Sequence, residues 1–117
     1  MNIARLVGIF ILIVSFNFSV NAQKTIKKES FKVWGNCGMC KKTIDKAANS
    51  VEGVVSASWS EVSLKMKVKY NSSKTTLDAI KKAIAKVGYD TEEYRSDDET
   101  YSNLHHCCQY ERPKKIE

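Results

Sequence analysis

The chain reads as an α+β domain with the element order strand, helix, strand, strand, helix, strand. Apolar residues alternate with lysine or serine over residues 31–34 and 55–70, and they recur at helical spacing over residues 44–51 and 77–87. Turn signals, Glu52-Gly53, Asn71-Ser72-Ser73 and Gly88, separate the blocks.

Residues Thr25 to Trp34 form the first expected strand, with Phe31 and Val33 on one face and Lys32 on the other. A helix is expected from Gly38 to Asn49, because Ile44, Ala47, Ala48 and Val51 fall at offsets of three, four and seven. Val55, Ala57 and Trp59 then alternate with serines. After a short Ser60-Glu61 link, Val62, Leu64, Met66, Val68 and Tyr70 alternate with Ser63, Lys65, Lys67 and Lys69. That pattern predicts a hairpin with one buried face. Thr75 followed by Asp78 suggests a capping box for a second helix, whose inward stripe is Leu77, Ile80, Ala83, Ile84 and Val87. Gly88 ends it, and Tyr89 to Arg95 make a short last strand. Two split βαβ units of this kind give an antiparallel sheet covered by two helices on one face, the ferredoxin-like arrangement.

Before this domain, one basic residue, Arg5, precedes an apolar run from Leu6 to Val14 that continues through Phe16 and Phe18 to Val20-Asn21-Ala22. Residues 1–22 read as a secretory signal peptide cleaved after Ala22, with a retained membrane anchor as the alternative. The rest divides into a domain over 23–96 and a tail over 97–117. No later stretch is apolar enough to cross a bilayer. Of the +6 formal charge, one unit leaves with Arg5. Export argues against nucleic acid as the basic chain's partner. So do Lys65 and Lys67, which stand where an RNA-binding sheet of this fold carries stacking aromatics. The alternating lysines read as a solvated sheet face. No Ser-His-Asp set, paired carboxylates or Gly-rich phosphate loop stands out, so the chain reads as a binding protein and not an enzyme.

The chemistry concentrates in Cys37-Gly38-Met39-Cys40. Two thiols at a helix N-terminus are met by unpaired N–H groups and the positive end of the dipole, which favour thiolate. Thiolates suit soft or borderline ions: Cu(I) first, Hg(II) or Zn(II) as alternatives. The motif also serves thiol–disulfide exchange, with Cys37 as nucleophile and Cys40 as resolving thiol. Against that reading, Pro113 in the tail is the only proline, whereas thioredoxin-like folds place a proline beside their disulfide.

From Glu29 to Arg95 the chain resembles the heavy-metal-associated domain family, which includes copper chaperones, modules of copper-pumping ATPases and an exported mercury-scavenging protein. The resemblance lies in Val33 and Gly35, Cys37-x-x-Cys40 with Ile44, Val51-Glu52-Gly53-Val54 and Val87-Gly88-Tyr89, in that order and spacing. It implies metal ligation by Cys37 and Cys40, Tyr89 beside them, and a metal-donating or metal-accepting partner, such as a membrane metal transporter. It further implies a monomer or transient dimer, in a bacterial periplasm. Lys41 and Lys42 beside the site would suit an acidic partner. The chain departs from the family in carrying Gly35-Asn36 where members have methionine and threonine. Met39 is expected to fill the core position of that methionine, or to offer a thioether. The tail holds a second cluster, His105-His106-Cys107-Cys108, ahead of a basic end at Arg112 to Lys115. It either folds back to complete a three- or four-ligand site or remains a solvated, oxidisable segment.

Overall fold

Within residues 25–114, which the computed structural model describes, the alternating segments build one antiparallel sheet. The leading segment and its expected cleavage after Ala22 lie outside the described residues. The elements are β1 (Ile26–Lys32), α1 (Gly38–Asn49), β2 (Val54–Trp59), β3 (Lys65–Asn71), α2 (Leu77–Lys86), α3 (Asp98–Ser102) and a 3₁₀ turn at His106–Cys108. The strand order is β1-β3-β2, with Phe31 opposite Met66 and Trp59 also opposite Met66. Met66, Val68 and Tyr70 of β3 and Ala57 and Trp59 of β2 are buried beneath Ile44, Ala47 and Ala48 of α1 and Ile80 and Ile84 of α2. Each large side chain so buried contributes about 1.5–3 kcal/mol. The α+β, ferredoxin-like fold expected from the periodicities is the one observed.

Four local expectations are corrected. The last strand shrinks to a single bridge between Val33 and Thr91. Its backbone groups are engaged elsewhere: the Asp90 N–H donates to Tyr110 Oη at 2.9 Å, and the Thr91 N–H closes a turn onto the Tyr94 carbonyl at 2.8 Å. Val55 is 56% exposed because the β2 register shifts between Val54 and Ser56, and such a bulge re-aims the alternation. Val62 is 93% exposed in the hairpin turn, where the Leu64 N–H donates to the Ser60 carbonyl and Leu64 adopts φ 62°. The α2 cap is Thr76, whose Oγ1 accepts the Ala79 N–H at 3.1 Å; Thr75 is buried instead.

The sheet face away from the helices is basic. Lys28 lies opposite Lys69 and Lys32 opposite Lys65, while Lys67 pairs with Ser30 and Ser58. No acidic residue occupies these register positions. Like charges directly across strands destabilise, so Lys69→Glu is expected to raise stability by about 0.5 kcal/mol at low salt. A thermal unfolding midpoint that stays put or falls would mean the ammonium groups are already screened.

The chain after Arg95, left without a position by its sequence, joins the core. Tyr110, 2% exposed, stacks on Tyr89 with ring centroids 5.5 Å apart and meets Tyr101 edge-on at 5.1 Å. Its hydroxyl donates to the Gly88 carbonyl at 2.8 Å. Gly88 has φ 112°, and a Cβ there would fall 2.9 Å from Leu104 Cδ2, so glycine is required both by the turn and by the tail's approach. Arg112 then clamps the segment. Its Nε and Nη2 reach Asp90 Oδ2 and Oδ1 at 2.8 and 3.0 Å, and its Nη1 reaches Asp98 at 2.7 Å. Asp90 also accepts the Ser96 N–H at 2.6 Å. The Asp90 carboxylate thereby raises the Arg112 pKa, against the opposing effect of burial.

Candidate metal centre

Cys37 is the N-cap of α1, with an extended backbone (φ −151°, ψ 176°), and Cys40 lies in the first helical turn. The helix turns the Cys40 side chain inward, fully buried, beside Ile44 in the core. Their sulfurs are 3.5 Å apart. The third sulfur comes from the far end of the chain: Cys108 Sγ, 4% exposed, lies 3.9 Å from Cys37 Sγ. The Sγ atoms of Cys37, Cys40 and Cys108 all fall within 4.8 Å of one another. Metal–sulfur bonds of about 2.3 Å separate sulfurs by about 4 Å around a trigonal ion and about 4.6 Å across a linear one. The two shorter separations match the trigonal arrangement better.

The electrostatics divide the thiols. The Cys40 amide chiefly, with the Met39 amide, lowers the Cys37 pKa against the opposing effect of burial. Burial first, and then the Cys40 side chain, push the Cys108 thiol up to about 12. An ion must displace its proton. Cys40 Sγ donates to Asn36 Oδ1 at 3.1 Å, a contact that holds the loop against the helix. Tyr89, fully buried, carries a hydroxyl without a hydrogen-bond partner among the described residues. Burial foremost, and then Cys40 and Cys108, raise the pKa of that hydroxyl. It stays a neutral donor beside the sulfurs.

Other sequence expectations resolve differently. Met39 is 49% exposed and does not fill the core. The space beside Gly35 is taken by Trp59, whose ring would lie 3.0 Å from any Cβ there, and by Ile44. His105, His106 and Cys107 are exposed and stand outside the three-sulfur group, so the four-residue tail cluster supplies one member to it. The reason is the 3₁₀ turn, in which successive side chains point about 120° apart. Cys108 faces the core and Cys107 faces out. Lys41 is engaged internally, its ammonium on Asp45 at 2.8 Å, Ser58 at 3.0 Å and the Trp59 carbonyl at 2.9 Å. Of the two lysines read as steering charges, Lys42 alone is exposed and outside these contacts. Sequence reading missed Asn36, and it took Arg112 for part of a basic end.

A family model of the heavy-metal-associated domain matches residues 36–90. The copper chaperone CopZ of Staphylococcus aureus is 36% identical over 55 residues, 47% of this chain and 81% of that protein. The chain belongs to the heavy-metal-associated domain family. Among solved structures, a CopZ metallochaperone superposes with a TM-score of 0.54 at 35% identity, covering 56% of this chain and 98% of the other. The N-terminal domain of a potential copper-translocating P-type ATPase from Bacillus subtilis, in its Cu(I)-loaded state, gives 0.54 at 30% identity, covering 56% and 84%. Cys37 and Cys40 lie inside the heavy-metal-associated match, and Cys108 lies beyond its end.

Proposed function

We propose that this protein is an exported carrier or store of Cu(I), bound as a trigonal trithiolate by Cys37, Cys40 and Cys108. The observation that carries the reading is the convergence of those three sulfurs within 4.8 Å at a helix N-terminus. Cu(I) is soft and takes two or three thiolates readily, whereas Zn(II) in a closed site wants a fourth ligand. His105 and His106 stand outside the group. The Staphylococcus aureus chaperone and the Bacillus subtilis ATPase domain are named as copper proteins at 36% and 30% identity, which favours Cu(I) over Hg(II) scavenging by the same thiolates. The Tyr89 hydroxyl offers a hydrogen bond to a bound thiolate.

Cys108 occupies the third position that an acceptor's thiolate would take. Handover to a metal-accepting protein, such as a membrane transporter, then proceeds by exchange of Cys108 for the incoming thiolate, with no free ion. The mature domain acts as a monomer that pairs transiently with its partner. Export rests on the signal-like residues 1–22 alone, and the bacterial periplasm on that segment together with the family resemblance. No helix among the described residues is long and apolar enough to cross a membrane.

The test is a Cu(I) titration of the reduced full chain against a competing chelator. One chelator-resistant ion per chain is expected, abolished by the double substitution Cys37→Ser, Cys40→Ser. Retention of that ion by the double variant would end the reading. Absence of a chelator-resistant ion in the wild type, with ready Cys37–Cys40 oxidation by a disulfide donor, would favour thiol exchange at the lowered-pKa Cys37. Parallel titrations with Hg(II) and Zn(II) rank the metals.

A further inference from the structure

Two soft sulfurs near the centre have no part in the trithiolate site. Cys107 Sγ lies 3.5 Å from Met39 Sδ, and both side chains are exposed. Cys107 Sγ is also 3.9 Å from Cys108 Sγ. The thioether on α1 and the thiol on the tail thus meet at the surface directly outside Cys108. The tail turn that presents Cys107 is held on several sides. The Cys108 N–H donates to the His105 carbonyl at 2.7 Å, and Gln109 Nε2 reaches the carbonyls of Ser102 and Leu104 at 3.1 and 3.3 Å.

We propose that Cys107, Met39 and Cys108 form a second, outer Cu(I) position, in which the Cys108 thiolate bridges to the inner ion. This rests on the trithiolate reading of Cys37, Cys40 and Cys108. The separations of 3.5 and 3.9 Å around Cys107 lie close to the roughly 4 Å expected of donors on one trigonal ion. Thiolate plus thioether is a donor pair that selects Cu(I) over harder ions. Binding releases the Cys107 proton to solvent. Because its other two donors are exposed, the outer position is where an ion arrives. It moves inward by exchanging Cys107 and Met39 for Cys37 and Cys40 while Cys108 stays bound.

The experiment is anaerobic titration of the reduced full chain with Cu(I) alone, read by native mass spectrometry and by the luminescence of polynuclear Cu(I)–thiolate clusters. Two ions per chain are expected, the second removed by a chelator that leaves the first. Cys107→Ser and Met39→Leu, both at exposed positions, should each reduce the count from two to one and quench the luminescence while keeping the chelator-resistant ion. A wild type that stops at one ion overturns the proposal, as does a second ion that survives both substitutions. If the wild type holds no chelator-resistant ion, the trithiolate reading fails. The outer position, defined by its bridge through Cys108 to the inner ion, falls with it.

Discussion

Replacing Arg112 with alanine is expected to destabilise the fold by about 3–5 kcal/mol, the cost of leaving a buried charge without its partner. Asp90 is that charge: its side chain is 1% exposed, and Arg112 grips both of its carboxylate oxygens. The Ser96 N–H would remain as a donor to Asp90, which does not neutralise a carboxylate in that position. Urea denaturation of the full chain measures the loss. Because the same clamp keeps Tyr110 and the Cys108 turn against the core, Cu(I) affinity should fall in the variant as well. The double substitution Asp90→Asn, Arg112→Met should recover a large part of the stability, since neither side chain is then a buried unpaired ion. An Arg112→Ala protein as stable as the wild type would show that the pair is solvated and the tail held by its aromatic contacts alone.

Cys108→Ala is expected to lower Cu(I) affinity more than tenfold, at least about 1.4 kcal/mol, while changing folding stability by about 1 kcal/mol. The sulfur count around the ion, read by X-ray absorption, should drop from three to two, with metal–sulfur distances shortening toward those of a linear site. Truncation after Arg95 is a poorer test. It would strip Tyr110 from the core and leave Asp90 buried without Arg112, so lost binding would report unfolding. Unchanged affinity in Cys108→Ala would return the site to a two-thiolate carrier and make the tail a bystander.

Much of the fold was legible because its cues are local. The α1 helix runs over Gly38–Asn49, the bounds its periodicity predicted, since Ile44, Ala47 and Ala48 face a single core. The misreadings fall where a neighbour overrides the pattern. Val55 turns outward at a bulge, Val62 sits in a turn that its alternation with Ser63 and Leu64 disguised, and the last strand loses its pairing to Tyr110. A period-two pattern cannot register an inserted residue. Met39 was legible as a soft donor or a core filler, and only packing showed that Trp59 and Ile44 already occupy the core beside Gly35.

The sequence by itself determined the frame and where its reactive thiols stand. Two thiols three residues apart at a helix start favour thiolate from short-range geometry alone, which suits a soft ion and thiol exchange alike, and the order of motifs around them marked the heavy-metal-associated family. Where the tail lies relative to those thiols was a long-range question, open to sequence only as a pair of possibilities. The tertiary structure brings Cys108 beside them through Arg112 on Asp90 and Tyr110 on Tyr89, contacts between segments about twenty residues apart that no local period encodes. It also decided which of two adjacent cysteines turns inward. Cys107 and Cys108 are chemically equivalent in the sequence, and the 3₁₀ turn, fixed by its docking, points one at the Cys37 sulfur and the other at Met39.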